Sequence, residues 1–365
     1  MSKLDEKNKD DSFLKNRVSG ELKVSNFSNL RVENPPIPKT LLIDLCNGCN
    51  HECIFCMNRF MTRKVTRMPH ELFTKIIDQA KAMGVEELGL YATGEPFMHT
   101  YLERFVKEAK DKGFRYVYIS TNGALVGHKR LQKVLDAGLD SIKFSINAGS
   151  RETYGLIHGY DEWDKVIDNV RFVSDYRKEK NLNISLFISS VVTDITSSEK
   201  EEFRETFGEI SDEIMFVNCD NQQGYMLANE GGLYSHSSEN LPTSCNLPFN
   251  RLHVTSEGYL SLCCVDYQNY LAVADLNKVD LYDAWNNDHF ISIRKKHIED
   301  KLMGTLCENC LKQTDGDISP LCLDLSTTMD FPDFYKKSSE NMKVEFKNRK
   351  QSLEFDIDLK TFKQS

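Results

Sequence analysis

Short apolar runs alternate with amphipathic segments between residues 39 and 217. The apolar runs predict six strands, at 40–45, 87–92, 115–119, 141–146, 184–190 and 213–218. Around residues 72–83, 102–109 and 166–173, apolar positions recur every three or four residues, which predicts helices between the strands. Strands that alternate with helices form parallel sheets, so the sequence predicts an α/β fold of six β/α units.

The rest of the chain divides by composition. Residues 1–38 are polar, end in Pro35-Pro36-Ile37-Pro38, and are predicted to be a tail and linker. The β/α region is predicted to span 39–235, and a small α+β domain rich in cysteine is predicted at 240–325. That domain opens with a predicted hairpin, with strands at 251–255 and 259–264. We expect 326–365 to be a C-terminal tail.

Composition and charge exclude several functions. The chain has 365 residues, 40% of them hydrophobic, and a net charge of -9. Its basic residues are scattered, which argues against a nucleic-acid-binding face. No apolar run approaches the ~20 residues of a membrane span, and the N-terminus lacks the apolar core of a signal peptide. These features predict a cytoplasmic protein without a membrane partner.

Eleven cysteines are grouped along the chain. The groups are 46/49/53/56, 245/263/264 and 307/310/322, with Cys219 alone. In a reducing compartment, such grouping favours metal clusters over disulfides.

Cys49, Cys53 and Cys56 are separated by three and then two residues, just after the first predicted strand. Three thiolates at this spacing can hold a cubane iron-sulfur cluster and leave its fourth iron open to a ligand. A structural zinc site is the alternative, with the adjoining Cys46 as a fourth ligand.

The CxxxCxxC pattern, with the aromatic Phe55 before its last cysteine, resembles the signature of the radical S-adenosylmethionine (radical SAM) enzymes. The resemblance implies a partial (β/α)6 TIM-like barrel and a [4Fe-4S] cluster that binds S-adenosylmethionine (SAM) beside Phe55. It also implies reductive cleavage of SAM to a 5′-deoxyadenosyl radical, which removes hydrogen from a substrate. A reducing partner such as flavodoxin or ferredoxin would supply the electron.

Thr93, Gly94, Glu95 and Pro96 follow the second predicted strand and resemble the family's GGEP motif, with threonine in place of its first glycine. The resemblance implies that they bind the ammonium group of SAM. The alternative is an ordinary turn into a helix, since proline suits a helix start.

Small polar residues also follow the third and fourth strands. By resemblance, Ser120, Asn122, Ser145 and Asn147 are assigned to SAM binding, although many relatives carry Asp where Asn147 stands. Ordinary turn roles are the alternative. Cys219, at the end of the sixth predicted strand, is a candidate hydrogen-atom donor or else a buried free thiol.

Cys245, twelve residues, Gly258, four residues and Cys263 resemble the opening of the SPASM/twitch auxiliary-cluster domains, and Cys307 and Cys310 supply a following CxxC. The resemblance implies one auxiliary [4Fe-4S] cluster on the four cysteines, because the later cysteines of the full SPASM pattern are missing. Zinc is again the alternative.

The choice between Cys263 and Cys264 leaves this ligand set open. Cys264 could replace Cys263, because adjacent strand residues point to opposite faces. Cys322 has no predicted role.

Three classes of function remain. The first is oxidation or epimerisation of a small polyhydroxylated substrate, such as a sugar, nucleotide sugar or aminocyclitol. The second is peptide modification, and the third is a non-catalytic iron-sulfur or zinc protein. Polar side chains predicted at the mouths of strands four and six favour the first class, namely Asn147, Asn218, Asp220, Asn221, Gln222 and Gln223.

Overall fold

A computed structural model gives the fold of the chain. It describes residues 30–219, 222, 245–312, 314 and 316–326, together with 336–338, 340–341, 344–345, 347–349 and 351. The predicted domain boundaries at 235 and 240, residues 1–29 and most of the predicted C-terminal tail lie outside the described residues. The division into domains therefore stays a prediction.

The six predicted β/α strands are confirmed, with shifted ends. They are β1 Thr40–Ile43, β2 Glu87–Gly89, β3 Tyr116–Thr121, β4 Ser141–Ser145, β5 Ser185–Val192 and β6 Glu213–Asn218. Each strand pairs in parallel with the next one along the chain. Their spatial order follows the sequence, and the sheet is open rather than closed. This is the arrangement of a partial TIM-like barrel.

Helices connect the parallel strands and cover one face of the sheet. They are α1 His70–Ala82, α2 Leu102–Asp111, α3 His128–Asp136, α4 Arg151–His158, α5 Trp163–Glu179 and α6 Lys200–Phe207, with short 3-10 helices at Met57–Phe60, Pro96–Met98 and Ser197–Glu199. The predicted periodic segments are confirmed in α1, α2 and α5, whose apolar positions are buried. None of the helices in the described part of the chain is both long and apolar enough to cross a membrane.

The cysteine-rich part continues the same sheet. Strand β7 (Leu252–Val254) pairs in parallel with β1, and β8 (Tyr259–Ser261) and β9 (Ala272–Asp275) extend the sheet by antiparallel pairing. The predicted hairpin is confirmed, and Gly258 takes a positive φ of 89° in its turn. Both strands are shorter than predicted, and the sequence analysis missed β9, a run of only four residues.

Further helices cover this part of the sheet. They are α7 Leu247–Asn250, α8 Leu281–Trp285, α9 Asp288–Ile298 and α10 Leu306–Lys312, with a 3-10 helix at Leu323–Leu325. The guanidinium of Arg294 lies 3.9 Å from the ring centroids of both Trp285 and Phe290 and donates to the carbonyl of Pro248 at 3.0 Å. Burial lowers its pKa to about 9. This buried cation fixes α9 against α7 and α8.

Arg63 joins the segment after β1 to the cysteine-rich part. The side chain is buried, and its Nε donates to the carbonyl of Tyr267 at 2.8 Å. Its Nη1 donates to the carboxylate of Glu257 at 3.0 Å and to Asn269 Oδ1 at 2.6 Å. Removing one of these partners would leave the charge of Arg63 buried and unpaired, which is costly. The contacts therefore hold the segment after β1, with its cysteines, at a fixed position against the cysteine-rich part.

Candidate iron-sulfur and SAM site

The cluster-binding loop, residues 44–56, follows β1. Its first part is buried, with Cys46 and Asn47 1% and 0% exposed. Asn47 Oδ1 accepts a hydrogen bond from the backbone N–H of Thr66 at 2.7 Å. The loop is therefore anchored before its first predicted ligand, and Cys49, Cys53 and Cys56 are partly exposed beyond the anchor.

These three thiols lie close together. Burial, followed by the carboxylate of Glu95, raises the pKa of Cys49 to about 12. Burial raises the pKa of Cys53 well above its usual value, and Cys56 and Cys49 add to the effect. Burial also raises the pKa of Cys56. Three thiols that are largely withdrawn from water and would repel one another as thiolates suit a metal cluster that neutralises them, so the donor set fits an iron-sulfur cluster.

Cys46 has a different environment. Its backbone forms an isolated β-bridge with Arg67. Its pKa is raised by burial, and the charged groups that act on it are Asp44, Arg67 and Glu95, none of which is a predicted ligand. That Cys46 is not a cluster ligand stays a prediction, and these surroundings agree with it.

Gly94 touches the cluster-binding loop. A Cβ at this position would lie 2.1 Å from the carbonyl oxygen of Cys46 and 2.4 Å from that of Gly48. The next residue, Glu95, donates its backbone N–H to the Gly48 carbonyl at 2.9 Å. No side chain fits here, so the glycine is required by the approach of two backbones.

Thr93, which precedes Gly94, also contacts the cluster-binding loop. Its hydroxyl donates to the carboxyl group of Asp44, and its carbonyl accepts from Asn58 Nδ2 at 2.7 Å. Burial raises the pKa of Asp44 to about 6, although the hydrogen bond from Thr93 opposes the rise. Threonine in place of the family's first glycine thus provides a hydrogen bond to the start of the cluster-binding loop.

The Glu95 carboxylate is 3% exposed and accepts three hydrogen bonds. The donors are Thr121 Oγ1 at 2.7 Å, the backbone N–H of Phe97 at 3.1 Å and that of Asn122 at 2.8 Å. Burial nevertheless raises its pKa to about 7. A buried carboxylate beside the cluster-binding loop would gain from a cationic ligand group such as an ammonium. Pro96 begins the 3-10 helix that follows, so the turn role predicted as the alternative is also present.

Asn122 connects the end of β3 to the cluster-binding loop. Its Nδ2 donates to Asn50 Oδ1 at 2.9 Å and lies 3.8 Å from Cys49 Sγ. On the neighbouring strands, the hydroxyl oxygens of Ser120 and Ser145 are 3.4 Å apart. Of these predicted SAM-binding residues, the structure thus places Asn122 beside the cluster-binding loop and Ser120 beside Ser145.

Asn147 and Phe55 are held within the protein. Asn147 has a φ of 60°, and its Oδ1 accepts from the backbone N–H of Val191 at 2.9 Å. Its Nδ2 faces His158 Nε2 at 3.5 Å. Phe55 is 7% exposed and belongs to the hydrophobic core. Their contacts with SAM stay predictions.

Sequence reasoning missed a histidine pair at the cluster-binding loop. His158 Nε2 donates to the carbonyl of Ile146 at 2.6 Å, while its Nδ1 lies 3.3 Å from Cys53 Sγ and 3.0 Å from His51 Nδ1. His51 Nε2 lies 2.9 Å from a Glu162 carboxylate oxygen. Burial lowers the pKa of His158 to about 3, so this ring is neutral. The position of His51 inside the cysteine motif and that of His158 after the fourth strand were the available signals.

The predicted auxiliary ligands also lie together. Helix α10 places Cys307 and Cys310 one turn apart on one face. Burial, then Cys245 and Cys310, raises the pKa of Cys307 well above its usual value. A hydrogen bond with Cys264, then burial, does the same for Cys263, and Cys245 adds to it. The thiols fit an iron-sulfur cluster, and the choice between Cys263 and Cys264 stays open.

All eleven cysteines lie in the described part of the chain, and none of them forms a disulfide. Cys219 is 3% exposed, and its backbone N–H donates to the carbonyl of Val192 at 3.2 Å. Its role as a hydrogen-atom donor stays a prediction. Tyr267, which the sequence analysis missed, brings its hydroxyl within 3.6 Å of Cys56 Sγ from the cysteine-rich part.

Comparison with known families agrees with this geometry. Residues 43–205 match the Radical SAM superfamily, and residues 245–311 match the SPASM iron-sulfur cluster-binding domain. The chain belongs to the radical SAM superfamily. Its C-terminal part is a SPASM-type domain, so the protein binds SAM at a [4Fe-4S] cluster and carries auxiliary iron-sulfur ligation.

Curated relatives match only part of the chain. An uncharacterized protein of Methanocaldococcus jannaschii is 30% identical over 149 residues, which are 40% of this chain and 47% of that protein. A probable GTP 3′,8-cyclase of Saccharolobus islandicus is 34% identical over 135 residues, 37% of this chain and 43% of the relative. The chain thus spans less than half the length of these relatives.

Solved structures show the shared fold. BtrN in complex with AdoMet and 2-DOIA is 20% identical, with a TM-score of 0.50 over 74% of this chain and 92% of BtrN. SuiB of Streptococcus suis bound to S-adenosylmethionine is 16% identical, with a TM-score of 0.56 over 71% of this chain and 68% of SuiB. The anSMEcpe protein with bound AdoMet is 16% identical, with a TM-score of 0.54 over 85% of this chain and 96% of its own.

Replacement of single cysteines tests the ligand assignment. Cys53→Ala should abolish reductive cleavage of SAM, because a cluster with two protein thiolates is not retained. Cys46→Ala should keep it, because the CxxxCxxC spacing excludes Cys46 and the charged groups that act on its thiol are Asp44, Arg67 and Glu95. The measurement is 5′-deoxyadenosine formed from SAM under reducing conditions, with circular dichroism as the folding control. Equal loss in two folded variants would contradict the assignment.

Glu95→Gln should flatten the pH dependence of unfolding of the SAM-free protein. Burial raises the folded-state pKa of Glu95 from 4.5 to about 7, so the folded chain keeps a proton that the unfolded chain releases. This stabilisation, at most roughly 3 kcal/mol, is complete below the unfolded pKa and is lost as the pH rises through about 7.

The free energy of unfolding, measured with denaturant between about pH 5 and 8, should therefore fall more steeply in the wild type than in Glu95→Gln. Glu201→Gln is the matched control, because the Glu201 side chain is 80% exposed. Parallel profiles for all three proteins would show that Glu95 is not a buried, protonated acid.

Proposed function

We propose that this radical SAM enzyme oxidises or epimerises a small polyhydroxylated molecule, such as a sugar, nucleotide sugar or aminocyclitol. When bound, the cluster and SAM supply a 5′-deoxyadenosyl radical that removes a hydrogen atom from a substrate C–H bond. The chain's own residues bind the substrate, orient the reacting carbon and exclude water.

A row of three serines carries the proposal, which reassigns Ser120 and Ser145 from SAM, their role by resemblance, to the substrate. Ser120, Ser145 and Ser189 lie on the neighbouring strands β3, β4 and β5, and Ser145 Oγ is 3.4 Å from Ser120 Oγ and 3.5 Å from Ser189 Oγ. Hydroxyl groups this close face the same side of the sheet. Each can donate and accept, which suits the hydroxyl groups of a sugar or cyclitol.

The serines face away from the helices. Phe144, which precedes Ser145 on β4, and Val166 of α5 both lie within 3.5 Å of the point where a Cβ of Gly123 would stand. Phe144 therefore points toward α5. Because successive strand residues point to opposite faces, Ser145 points to the barrel interior.

Aromatic rings border the serine row. Tyr118 lies two residues before Ser120 on β3, and its ring centroid is 5.9 Å from that of Tyr91. A Cβ at Gly89 would lie 2.7 Å from the Tyr118 ring, so this glycine makes room for it. Aromatic rings beside a few aligned hydroxyls are typical of the lining of a small-molecule site.

Of the polar residues predicted at the mouth of β6, the structure describes two. Asn218 is exposed, and Gln222 Oε1 accepts a hydrogen bond from the Tyr267 hydroxyl at 3.1 Å. Asp220, Asn221 and Gln223 lie outside the described residues. A site of paired hydroxyls rejects analogues that lack them, since its own groups would be left unpaired.

The two outcomes for the substrate differ in what this chain must provide. Oxidation to a carbonyl requires a second electron and a proton to leave the substrate, with the auxiliary site as the electron acceptor. Epimerisation requires a hydrogen atom to return, and the thiols of Cys219 and Cys264 are the candidate donors. In either case we propose that flavodoxin or ferredoxin reduces the catalytic site.

Peptide modification is the second candidate. SuiB, with its precursor peptide SuiA bound, is 17% identical to this chain with a TM-score of 0.54 over 73% of it. At that identity the similarity shows the fold alone. BtrN shares this fold as well. The substrate must therefore be decided by turnover.

We expect turnover of a member of a panel of sugars, nucleotide sugars and aminocyclitols, incubated with SAM and reductant in deuterated water. Epimerisation should place solvent deuterium on a product carbon, because thiol protons exchange with solvent. Oxidation should give a carbonyl without carbon-bound label. Turnover of peptides, together with none across the panel, would contradict the substrate assignment.

The serine row is tested in the same assay. Ser189→Ala should lower kcat/KM for the substrate roughly five- to tenfold, as expected for one lost hydrogen bond. Substrate-independent SAM cleavage should not change. Ser174→Ala is the control, because this buried serine lies on α5, outside the sheet. An unchanged kcat/KM in Ser189→Ala would remove the serine row as the binding face.

A further inference from the structure

The C-terminal segment lies beyond both matched domains, yet its described residues contact the cluster-binding loop. Residues 344–345 and 347–349 are helical. Glu345 and Arg349, one helical turn apart, reach the side chain of Arg59 and the backbone of Glu52, which lie 286 and 297 residues earlier in the sequence. This part of the chain therefore borders the catalytic-cluster site.

Arg349 binds two backbone carbonyls at once. Its Nη1 donates to the carbonyl of Leu156 at 3.0 Å, and both Nη atoms lie 3.4 Å from the carbonyl oxygen of Glu52. Glu52 immediately precedes the predicted ligand Cys53, and Leu156 lies in the last turn of α4. One guanidinium thus connects the cluster-binding loop to the end of a helix.

The end of α4 is already interlocked with this loop. The carbonyls in the last turn of a helix have no partner within the helix. Here, the N–H of Ile54 donates to the carbonyl of Ile157 at 2.9 Å, and the N–H of Glu52 donates to that of His158 at 3.1 Å. Arg349 serves the remaining carbonyl, that of Leu156, so it completes an arrangement that the loop itself begins.

Glu345 orients the guanidinium. Its carboxylate accepts from Arg349 on one side and from Arg59 on the other. The three side chains are only 16%, 14% and 27% exposed for Arg349, Arg59 and Glu345. Charge-assisted hydrogen bonds between partly buried groups are stronger than exposed ion pairs, so Arg349 is held in place.

We propose that Arg349 is a positioning residue for the catalytic cluster: it clamps the cluster-binding loop to the end of α4, and Glu345 fixes its orientation. The guanidinium also places a positive charge near Cys53. The proposal rests on the assignment of the cluster to Cys49, Cys53 and Cys56 and is independent of the substrate.

The test measures iron release from the anaerobically reconstituted full chain to an excess of chelator, without substrate. Arg349→Gln should release iron from the catalytic site about tenfold faster, as expected when hydrogen bonds from a charged group are lost. The reduction potential of the catalytic cluster, followed by electron paramagnetic resonance, should also fall in Arg349→Gln. A nearby cation favours the reduced cluster, and this substitution removes the cation. Iron release from the auxiliary site should not change.

Arg349→Lys separates position from charge. Lysine keeps the cation but lacks the planar fork that spans two carbonyls. It should release iron faster than the wild type while nearly keeping the wild-type potential. Wild-type release in Arg349→Lys, with fast release in Arg349→Gln, would show that charge alone matters and would overturn the positioning role.

Arg151→Gln is the matched control, because Arg151 begins α4 and pairs only with the exposed Asp161 and Asp164 among the described residues. It should behave as wild type. Wild-type iron release by a folded Arg349→Gln chain would overturn the proposal. If that chain does not fold, Glu345→Gln takes its place: several-fold faster release supports the proposal, and wild-type release overturns it.

Discussion

The site depends on the close approach of two backbones, at Gly94 and at the start of the cluster-binding loop. The point where a Cβ of Gly94 would stand is 2.1 Å from the carbonyl oxygen of Cys46, and the N–H of Glu95 donates to the carbonyl of Gly48. This contact places the Glu95 carboxylate next to the loop that carries the cluster cysteines. The start of the loop buries backbone N–H and C=O groups, which need hydrogen-bond partners. Its hydrogen bonds with neighbouring loops supply these partners and so stabilise the buried position.

Both cysteine constellations belong to one sheet. Strand β7 pairs with β1, so the auxiliary cysteines are attached to the strand that leads into the cluster-binding loop. The buried contacts of Arg63 with Glu257 and Asn269, and the approach of Tyr267 to Cys56, reinforce that attachment. Shared strand pairing and a buried ion pair give a fixed geometry between two redox sites, which a flexible linker would not.

The sequence predicted the features that depend on local spacing. Cysteines two or three residues apart, a Gly-Glu-Pro turn and helical periodicity are all legible within a few positions, and they predicted both cluster sites and the β/α order. Contacts between distant positions were missed: His158 with Cys53 is 105 residues apart, and Arg349 with Glu52 is 297. The pairing of β7 with β1 was missed for the same reason, since a three-residue strand does not name its partner. The alignment of Ser120, Ser145 and Ser189 was missed as well, because it depends on the register of three strands.

The central claim is that this single sheet carries two iron-sulfur sites, one on the cluster-binding loop and one beside α10. Quantification of iron, sulfide and zinc in the anaerobically reconstituted chain tests it most directly. Two cubane clusters predict about eight iron and eight sulfide per chain, without zinc. About four iron and four sulfide, together with one zinc held by the cysteine-rich part, would contradict the account.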